Sequence, residues 1–573
     1  MLRFSRRFMT GGVLASVVAV RAHGASAQTT RIAPLSDDPT LFQNALDKER
    51  PAKRVKTQVT GITVPHHLLA ADLIARGVWA AAENRYDRII VMSPDHFRRS
   101  HKPVATTPLG FDTPLGAVEV DHDAVGALLA EAALVENSDL FLHEHGVLAI
   151  LPFLAGVFPG VPVVPMTFGI GTTREQWDAA VALLKPIASS TTLVVQSTDF
   201  SHYLLPGTAR DRDQETLNLI AVGAPADIAT LNQSNHIDSK AAQYVQLRLQ
   251  QEAFGSHQVV VANRNSSEYV GRNAPSTSYV VSVFGPDRAA LSAFAYAEQE
   301  ISFFGGDVFL GRWFDQPLTR EHTRKAIVQR VLDLTGGGRL VINLEGAIAL
   351  LPTIGVPSQR HVMEADLALP MLQAMNVRAA SLANNHSFDL GPAGVEQALP
   401  VLSKSGIRPL RHMEVADLGA FRLLTINFIG DGDHRGYPVM RMTADPRDPL
   451  SAEDRARISE LAKNPPLIVF VHWGREFTST ASDLERNIAE DLAQCGANLV
   501  VGAHTHQSSA SMELIAGGES LLQFSLGNLL FDQRSPMGSG ALLEVRAFSQ
   551  KTLAMRLVPI PNLYEFAVVD AEG

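Results

Sequence analysis

Six short polar sets in the second half of the chain have residue types that can grip a divalent cation. They are Gly305-Gly306-Asp307, Asn343-Leu344-Glu345-Gly346, Ala383-Asn384-Asn385-His386-Ser387-Phe388-Asp389, His472-Trp473-Gly474-Arg475-Glu476, Gly502-Ala503-His504-Thr505-His506 and Ser525-Leu526-Gly527-Asn528. The candidate ligands among them are the carboxylates Asp307 and Glu345, one or two amides and four imidazoles. Hard oxygen donors mixed with imidazoles suit Zn, Mn or Fe. One or two such ions would lower the pKa of a water and balance charge in a hydrolytic transition state. Any one set alone is weak, since a lone His-x-His or Asn-Asn-His serves equally well as surface or capping residues. Six in succession form a constellation.

The first half carries a second constellation of different make-up. Val64-Pro65-His66-His67, Ser93-Pro94-Asp95-His96, His143-Glu144-His145 and Ser197-Thr198-Asp199-Phe200-Ser201-His202-Tyr203 place imidazoles after apolar runs. His66, His96, His145 and His202 are the candidates for one cleft, and His67 and His143 read as capping or surface residues. The single cysteine, Cys495, excludes an internal disulfide and any Cys-based zinc site. Any metal must therefore be held by His, Asp, Glu and Asn.

The elements that position these sets are short β-branched runs alternating with longer amphipathic stretches. In the first half the runs are 61–64, 88–92, 161–166, 192–196 and 279–284, with helices expected over 70–82 and 174–189. In the second half the runs are 300–304, 340–342, 378–382, 467–471, 498–501 and 520–524. This alternation predicts α/β domains with largely parallel sheets, whose carboxyl-end edges gather ligands. Residues 28–57 read as a polar extension, 58–286 as one domain, 287–298 as an Ala-rich helical linker and 299–573 as a second domain.

At 573 residues the chain is too long for one core. Hydrophobic residues make up 46% and charged residues 19%, as in globular proteins, and the net charge of -10 gives no overall attraction to nucleic acid. Residues 1–27 read as a leader: Arg3, Arg6 and Arg7 precede an apolar stretch, and Ala25-Ser26-Ala27 makes a small-x-small cleavage site. The run Ser5-Arg6-Arg7-Phe8-Met9 resembles a twin-arginine signal, with one residue fewer between the arginines and Phe8. The apolar stretch is shorter than the ~20 residues of a spanning helix. An exported, periplasmic or otherwise extracytoplasmic protein is expected, with no integral membrane segment once the leader is removed.

The second-half motifs resemble, in their order, the CapA family, named for poly-γ-glutamate capsule synthesis and part of the calcineurin-like metallophosphoesterase superfamily. The resemblance covers about 299–565 and implies a metallophosphoesterase α/β sandwich. It implies Asp307, Glu345, Asn385, His472, His504 and His506 as metal ligands. It further implies His386 as the catalytic residue that protonates the leaving group or orients the substrate, with Ser525 and Asn528 in support. The chain departs from the superfamily at Asp307-Val308-Phe309, where Asp-x-His is usual, and at Glu345, where Asp is usual.

The first-half motifs resemble the Memo-like family, also called AmmeMemoRadiSam system protein B, whose α/β fold is similar to class III extradiol dioxygenases. The match covers about 58–285. It implies His66, His96 and His202 as ligands of Fe or Cu, with His145 lining the pocket, and it puts Asp238 where some relatives have Cys. Three functions follow as expectations. The first is metal-dependent hydrolysis at the second site, on a small phosphoester or a cell-envelope polymer. The second is redox chemistry at the first site, and the third is a non-catalytic role in polymer assembly.

Overall fold

The computed structural model describes residues 31–271, 273–351, 359–430, 437–463 and 466–572. The leader expected over 1–27 lies outside the described residues. Residues 31–57 are not a mere extension. They include helix α1 (Thr40–Glu49), whose Phe42 and Leu46 are buried in the N-terminal core, with Phe42 edge-on to Phe153 at 5.3 Å. Its outer face, polar except for Leu41, hid this helix.

Among the described residues the N-terminal domain is built on a nine-stranded sheet. Strands β1 (Gly61–Val64), β2 (Arg88–Pro94), β3 (Val163–Phe168) and β4 (Thr192–Ser197) are parallel and lie in the spatial order β1-β4-β2-β3. Nearly every residue of these strands is buried, the pattern of a parallel sheet covered on both faces. Helices α2 (Ala71–Ala80), α3 (Pro206–Val222) and α4 (Lys240–Glu252) are among its cover. The antiparallel strands β5 (His257–Asn265) and β6 (Ser276–Gly285) complete one side, with β6 beside β1.

The C-terminal domain is a sandwich of two sheets. The first has β7 (Glu300–Val308), β8 (Arg339–Leu344) and β9 (Val377–Ser381) in parallel. The second has β10 (Leu467–His472), β11 (Ala497–Ala503) and β12 (Ser520–Gln523) in parallel. Strand β13 (Asn528–Leu530) pairs with β7, followed by the antiparallel pair β14 (Gly540–Ala547) and β15 (Leu553–Ile560). A core between the sheets joins them, with Phe304 of β7 edge-on to Phe470 of β10 at 5.9 Å. Further cores lie on the outer faces, under helices such as α5 (Glu321–Thr335) and α6 (Asp483–Gln494). Both sheets thus end their parallel strands beside one another. Among the described residues no helix is long and apolar enough to cross a membrane.

The two domains share a contact surface. Gln214 of α3 exchanges two hydrogen bonds with the Leu553 backbone, at 2.9 and 2.8 Å, and Thr552 donates to Asn263 at 2.6 Å. The expected helical linker contains only a 3-10 turn, Ala290–Ala293. Side-chain bonds from β14 and β15 hold it instead. Arg546 donates to the Ser292 carbonyl, Arg556 to the Arg288 carbonyl, and both pair with Glu544 at 2.5 Å. Burial raises the Glu544 carboxyl, but the two guanidiniums outweigh it and hold the group at about 2, below its ordinary 4.5. Glu544 therefore stabilises the fold fully above pH 4.5, and the contribution is lost as pH falls through about 2. Glu544→Ala, leaving two buried cations unbalanced, is expected to cost about 3–5 kcal/mol in denaturant unfolding at neutral pH.

Candidate metal centres

In the C-terminal domain the strand ends of both sheets deliver their polar sets to one buried cluster. Asp307 closes β7, Glu345 follows β8, Asn385 and His386 follow β9, His472 closes β10, and His504 and His506 follow β11. Asp307, Glu345, His472, His504 and His506 are each 5% exposed or less. Ligand atoms of Asp307, Glu345 and His506 lie within 4.8 Å of one another, and so do those of Glu345, His472 and His504. Glu345 belongs to both groups. Asn385 Oδ1 stands 2.8 Å from His472 Nε2 and adds an amide oxygen to the second.

The surroundings hold these atoms in place. The Asn343 amide donates to Asp307 at 2.8 Å and contacts His472 Nδ1 at 3.1 Å, leaving His472 Nε2 toward Glu345 at 3.6 Å. Asn528 Oδ1 lies 2.8 Å from His506 Nδ1. Thr505 donates to Ser525 Oγ at 2.8 Å, which fixes the turn carrying His504 and His506. Both of those histidines have positive φ, 92° and 60°, a conformation that strains any residue with a side chain. On β7 a Cβ at Gly306 would overlap the Gly527 carbonyl, to which Asp307 N donates at 2.8 Å. Only glycine lets the two ligand-bearing segments approach this closely.

The electrostatics are those of a cluster short of positive charge. Burial, then the Asp307 carboxylate, raises the Glu345 carboxyl well above its ordinary range. Burial, then neighbouring imidazoles, holds His472 well below its usual value and His504 at about 4. Burial also pulls on His506, but Asp307 and Asn528 outweigh it and raise the ring. Glu345 Oε2 and His504 Nδ1 are buried without a hydrogen-bond partner. Neutral imidazoles and an orphaned carboxyl oxygen in one buried cluster fit a divalent cation, or two sharing Glu345. The departure at Phe309 leaves that shared arrangement intact, because Asp307 of the same strand still reaches the cluster and the other ligand atoms come from Glu345, His472, His504 and His506.

Beside this cluster lies a group that sequence reasoning missed. His361 stacks on His386, ring centroids 3.7 Å apart, and its ligand atom joins those of Glu345 and His386 within 4.8 Å. Burial, then His386 and Arg312, pulls His361 down to about 2, so its ring is neutral near pH 7. Arg312 reaches His361 Nε2 at 3.1 Å and is clamped by Asp532 at 2.7 and 2.5 Å. His386 Nδ1 bonds Asp389 at 2.9 Å, and Asp389 also accepts from Tyr437 at 3.1 Å. Trp313 and Phe477 expose their rings nearby, the latter 6.0 Å from His506. Arg312 and His361 sit in turns rather than at parallel strand ends. Their only sequence signal was residue type.

The N-terminal set also converges. Ligand atoms of His66, His96 and His145 lie within 4.8 Å of one another, and Asp238 Oδ2 stands 3.3 Å from His66 Nε2 and 3.6 Å from His96 Nε2. The three-imidazole group therefore includes His145 rather than His202. His202 is close enough to feel Asp238, and its Nδ1 is buried without a partner. Buried Glu144, quoted in the sequence motif without a role, bonds His96 Nδ1 at 2.6 Å and turns its Nε2 inward. Burial lowers His96, but Asp238 and Glu144 outweigh it and push the ring up to about 10; burial and His96 hold His145 at about 4. Asp199 accepts from the His66 backbone at 3.1 Å, and burial and Asp238 raise it well above the carboxylate range. His67 is exposed and receives Tyr279 OH at 2.6 Å, and His143 is exposed too. This set of three imidazoles and a carboxylate fits a transition-metal cation.

Comparisons with known proteins divide the chain in the same way. Residues 37–283 match the Memo-like protein family model, and 302–533 match that of the bacterial capsule synthesis protein PGA_cap. The PGA biosynthesis protein CapA of Bacillus subtilis (strain 168) is 24% identical over 245 residues, 40% of this chain and 63% of that protein. A MEMO1 family protein of Aquifex aeolicus (strain VF5) is 28% identical over 228 residues, 37% of this chain and 61% of that protein. The chain thus spans under two thirds of each relative. A crystal structure of a hypothetical protein from Thermus thermophilus aligns over 46% of this chain and 100% of its own, at 15% identity and a TM-score of 0.28.

Replacing Glu345 by Gln removes a carboxyl whose ionisation burial and Asp307 oppose. The metal-free variant is expected to melt at or above the wild-type temperature, yet to lose the stabilisation that added Mn or Zn gives wild type. Melting curves with and without a chelator check this, and saturating metal at about 100 times its Kd stabilises by about 2.7 kcal/mol.

Proposed function

From a chain that joins a Memo-like domain to a CapA-like domain, we propose that the C-terminal cluster is a metal-dependent hydrolase site acting on a phosphoester or a cell-envelope polymer. The observation that carries this reading is Glu345, whose carboxylate is common to two adjoining ligand groups. Asp307, Glu345 and His506 would hold one cation, and Glu345, Asn385, His472 and His504 the other. Cations so held supply Lewis acidity, which makes a water nucleophilic near neutral pH and steadies negative charge on a phosphoryl or carbonyl oxygen.

The chain's own residues do the rest. Asp389 accepts from His386 Nδ1, which fixes the tautomer and presents Nε2 as the atom that holds or passes a proton to the leaving oxygen. Arg312, kept rigid by Asp532, presents its fork beside His361 and suits an anionic substrate group. Trp313 and Phe477 offer apolar surface at the rim. The polymer alternative draws on the name of the Bacillus relative, a PGA biosynthesis protein. Delivery outside the cytoplasm draws on the Arg6-Arg7 leader, and cell fractionation with and without those arginines tests it.

Alanine at His504 or His472 is expected to abolish both bound metal and hydrolysis of bis(p-nitrophenyl) phosphate or a polyglutamate. His386→Ala should keep the metal and lower kcat by about 10²–10⁴. Full turnover in a metal-depleted His504→Ala protein would falsify the reading.

A second reading rests on the N-terminal trio His66, His96 and His145 with Asp238, a donor set for a redox iron or copper centre. Elemental analysis of His96→Ala and His504→Ala proteins separates the two. Iron lost only from His96→Ala, together with oxygen consumption in wild type, supports redox chemistry at the first site. Metal present at both sites without turnover supports a binding role in polymer assembly.

A further inference from the structure

The seam between the domains encloses a cavity of about 160 Å³, where a single water needs only about 10–15 Å³. Residues of strand β5 of the N-terminal domain and of strand β15 of the C-terminal domain line it, and so does Arg288 of the interdomain segment. Three guanidiniums line it, those of Arg288, Arg546 and Arg556, against one carboxylate, Glu544, among the described residues. The wall therefore carries an excess of two positive charges, and unbalanced charge is costly at its two buried guanidiniums, Arg546 and Arg556.

The three arginines are not equivalent. Arg546 is fully engaged, by Glu544, the Ser292 carbonyl and Gln299. Arg556 is 9% exposed and uses its terminal nitrogens on Glu544, Ser292 and the Arg288 carbonyl, while its Nε is buried with no hydrogen-bond partner. The Arg288 guanidinium makes no ion pair or hydrogen bond among the described residues. Opposite them, His257 is pulled down to about 4 by burial and by Arg288 and Arg556, so it adds a neutral donor rather than a third excess charge. Gln258 lies beside it and donates to Ser282 at 2.9 Å.

We propose that this cavity binds a small oxyanion of the phosphate class, held by Arg556 and Arg288 at the seam between the two domains. An oxyanion matches the guanidinium fork of Arg288, which lines the cavity, and would offset the surplus charge of the wall. Arg556 belongs to the C-terminal domain and Arg288 to the joining segment, and His257 of the N-terminal domain lines the same cavity as a neutral donor. The anion therefore binds only the docked arrangement and by linkage stabilises it. The site is separate in residues and position from both metal-ligand clusters.

The test is thermal unfolding of the full chain titrated with inorganic phosphate or sulfate, against sodium chloride at matched ionic strength. Wild type is expected to melt higher with phosphate or sulfate than with chloride. Arg288→Ala, a change at a half-buried side chain, should weaken the apparent affinity at least about tenfold, the loss of one charge-assisted hydrogen bond. His504→Ala should keep the wild-type response, which separates this site from phosphate held at the C-terminal cluster. The proposal is overturned if chloride raises the melting temperature equally, if Arg288→Ala responds as wild type does, or if the response disappears in His504→Ala.

Discussion

Asp307 and Glu345 are buried side by side where β7 and β8 end, and the rest of the C-terminal domain is arranged around that fact. Two carboxylates about 4 Å apart repel by roughly 4 kcal/mol at an effective dielectric of 20. Desolvation adds to that cost, and the metal-free protein relieves it by raising the Glu345 carboxyl. A cation reverses both terms at once. The His472 and His504 rings face the same point and are held neutral by burial, which is the protonation state a metal ligand needs.

Holding such a cluster demands precision that a single sheet edge does not provide. Asp307 and Glu345 come from one sheet, and His472, His504 and His506 from the other, so the sandwich core around Phe304 and Phe470 sets the distance between the two halves of the site. The strained backbone at His504 and His506 persists because Ser525, Thr505 and the Gly306–Gly527 approach leave it no alternative. The N-terminal domain solves a related problem with one sheet. His66, His96 and Asp199 follow the ends of neighbouring parallel strands, and Glu144 and Asp238 come in from loops to orient the rings.

Much of this was legible in the sequence because parallel strands buried on both faces read as short apolar runs, and a polar set after such a run has no packing reason to be there. The sets that hold Asp307, Glu345, Asn385, His472, His504 and His506 were each visible in that way, and the resemblance to the CapA family singled out these residues within them. Arg312 and His361 were not, since they sit in turns without period and reach the cluster only through tertiary packing. Helix α1 was hidden by its largely polar outer face, and the segment 287–298 was read as helix from its alanines although buried arginines hold it in another shape. Among the N-terminal imidazoles, residue type could not separate His145 from His202. That distinction depends on Glu144, which bonds the neighbouring His96 and caps the short helix that begins at His145.

The proposed chemistry turns on Glu345 being a ligand common to two cations. Anomalous X-ray diffraction from the Mn-loaded protein measures this directly. Two peaks about 3.5–4 Å apart with Glu345 between them are expected. A single peak without Glu345 as a ligand, or peaks remote from Asp307, His472 and His504, would contradict it.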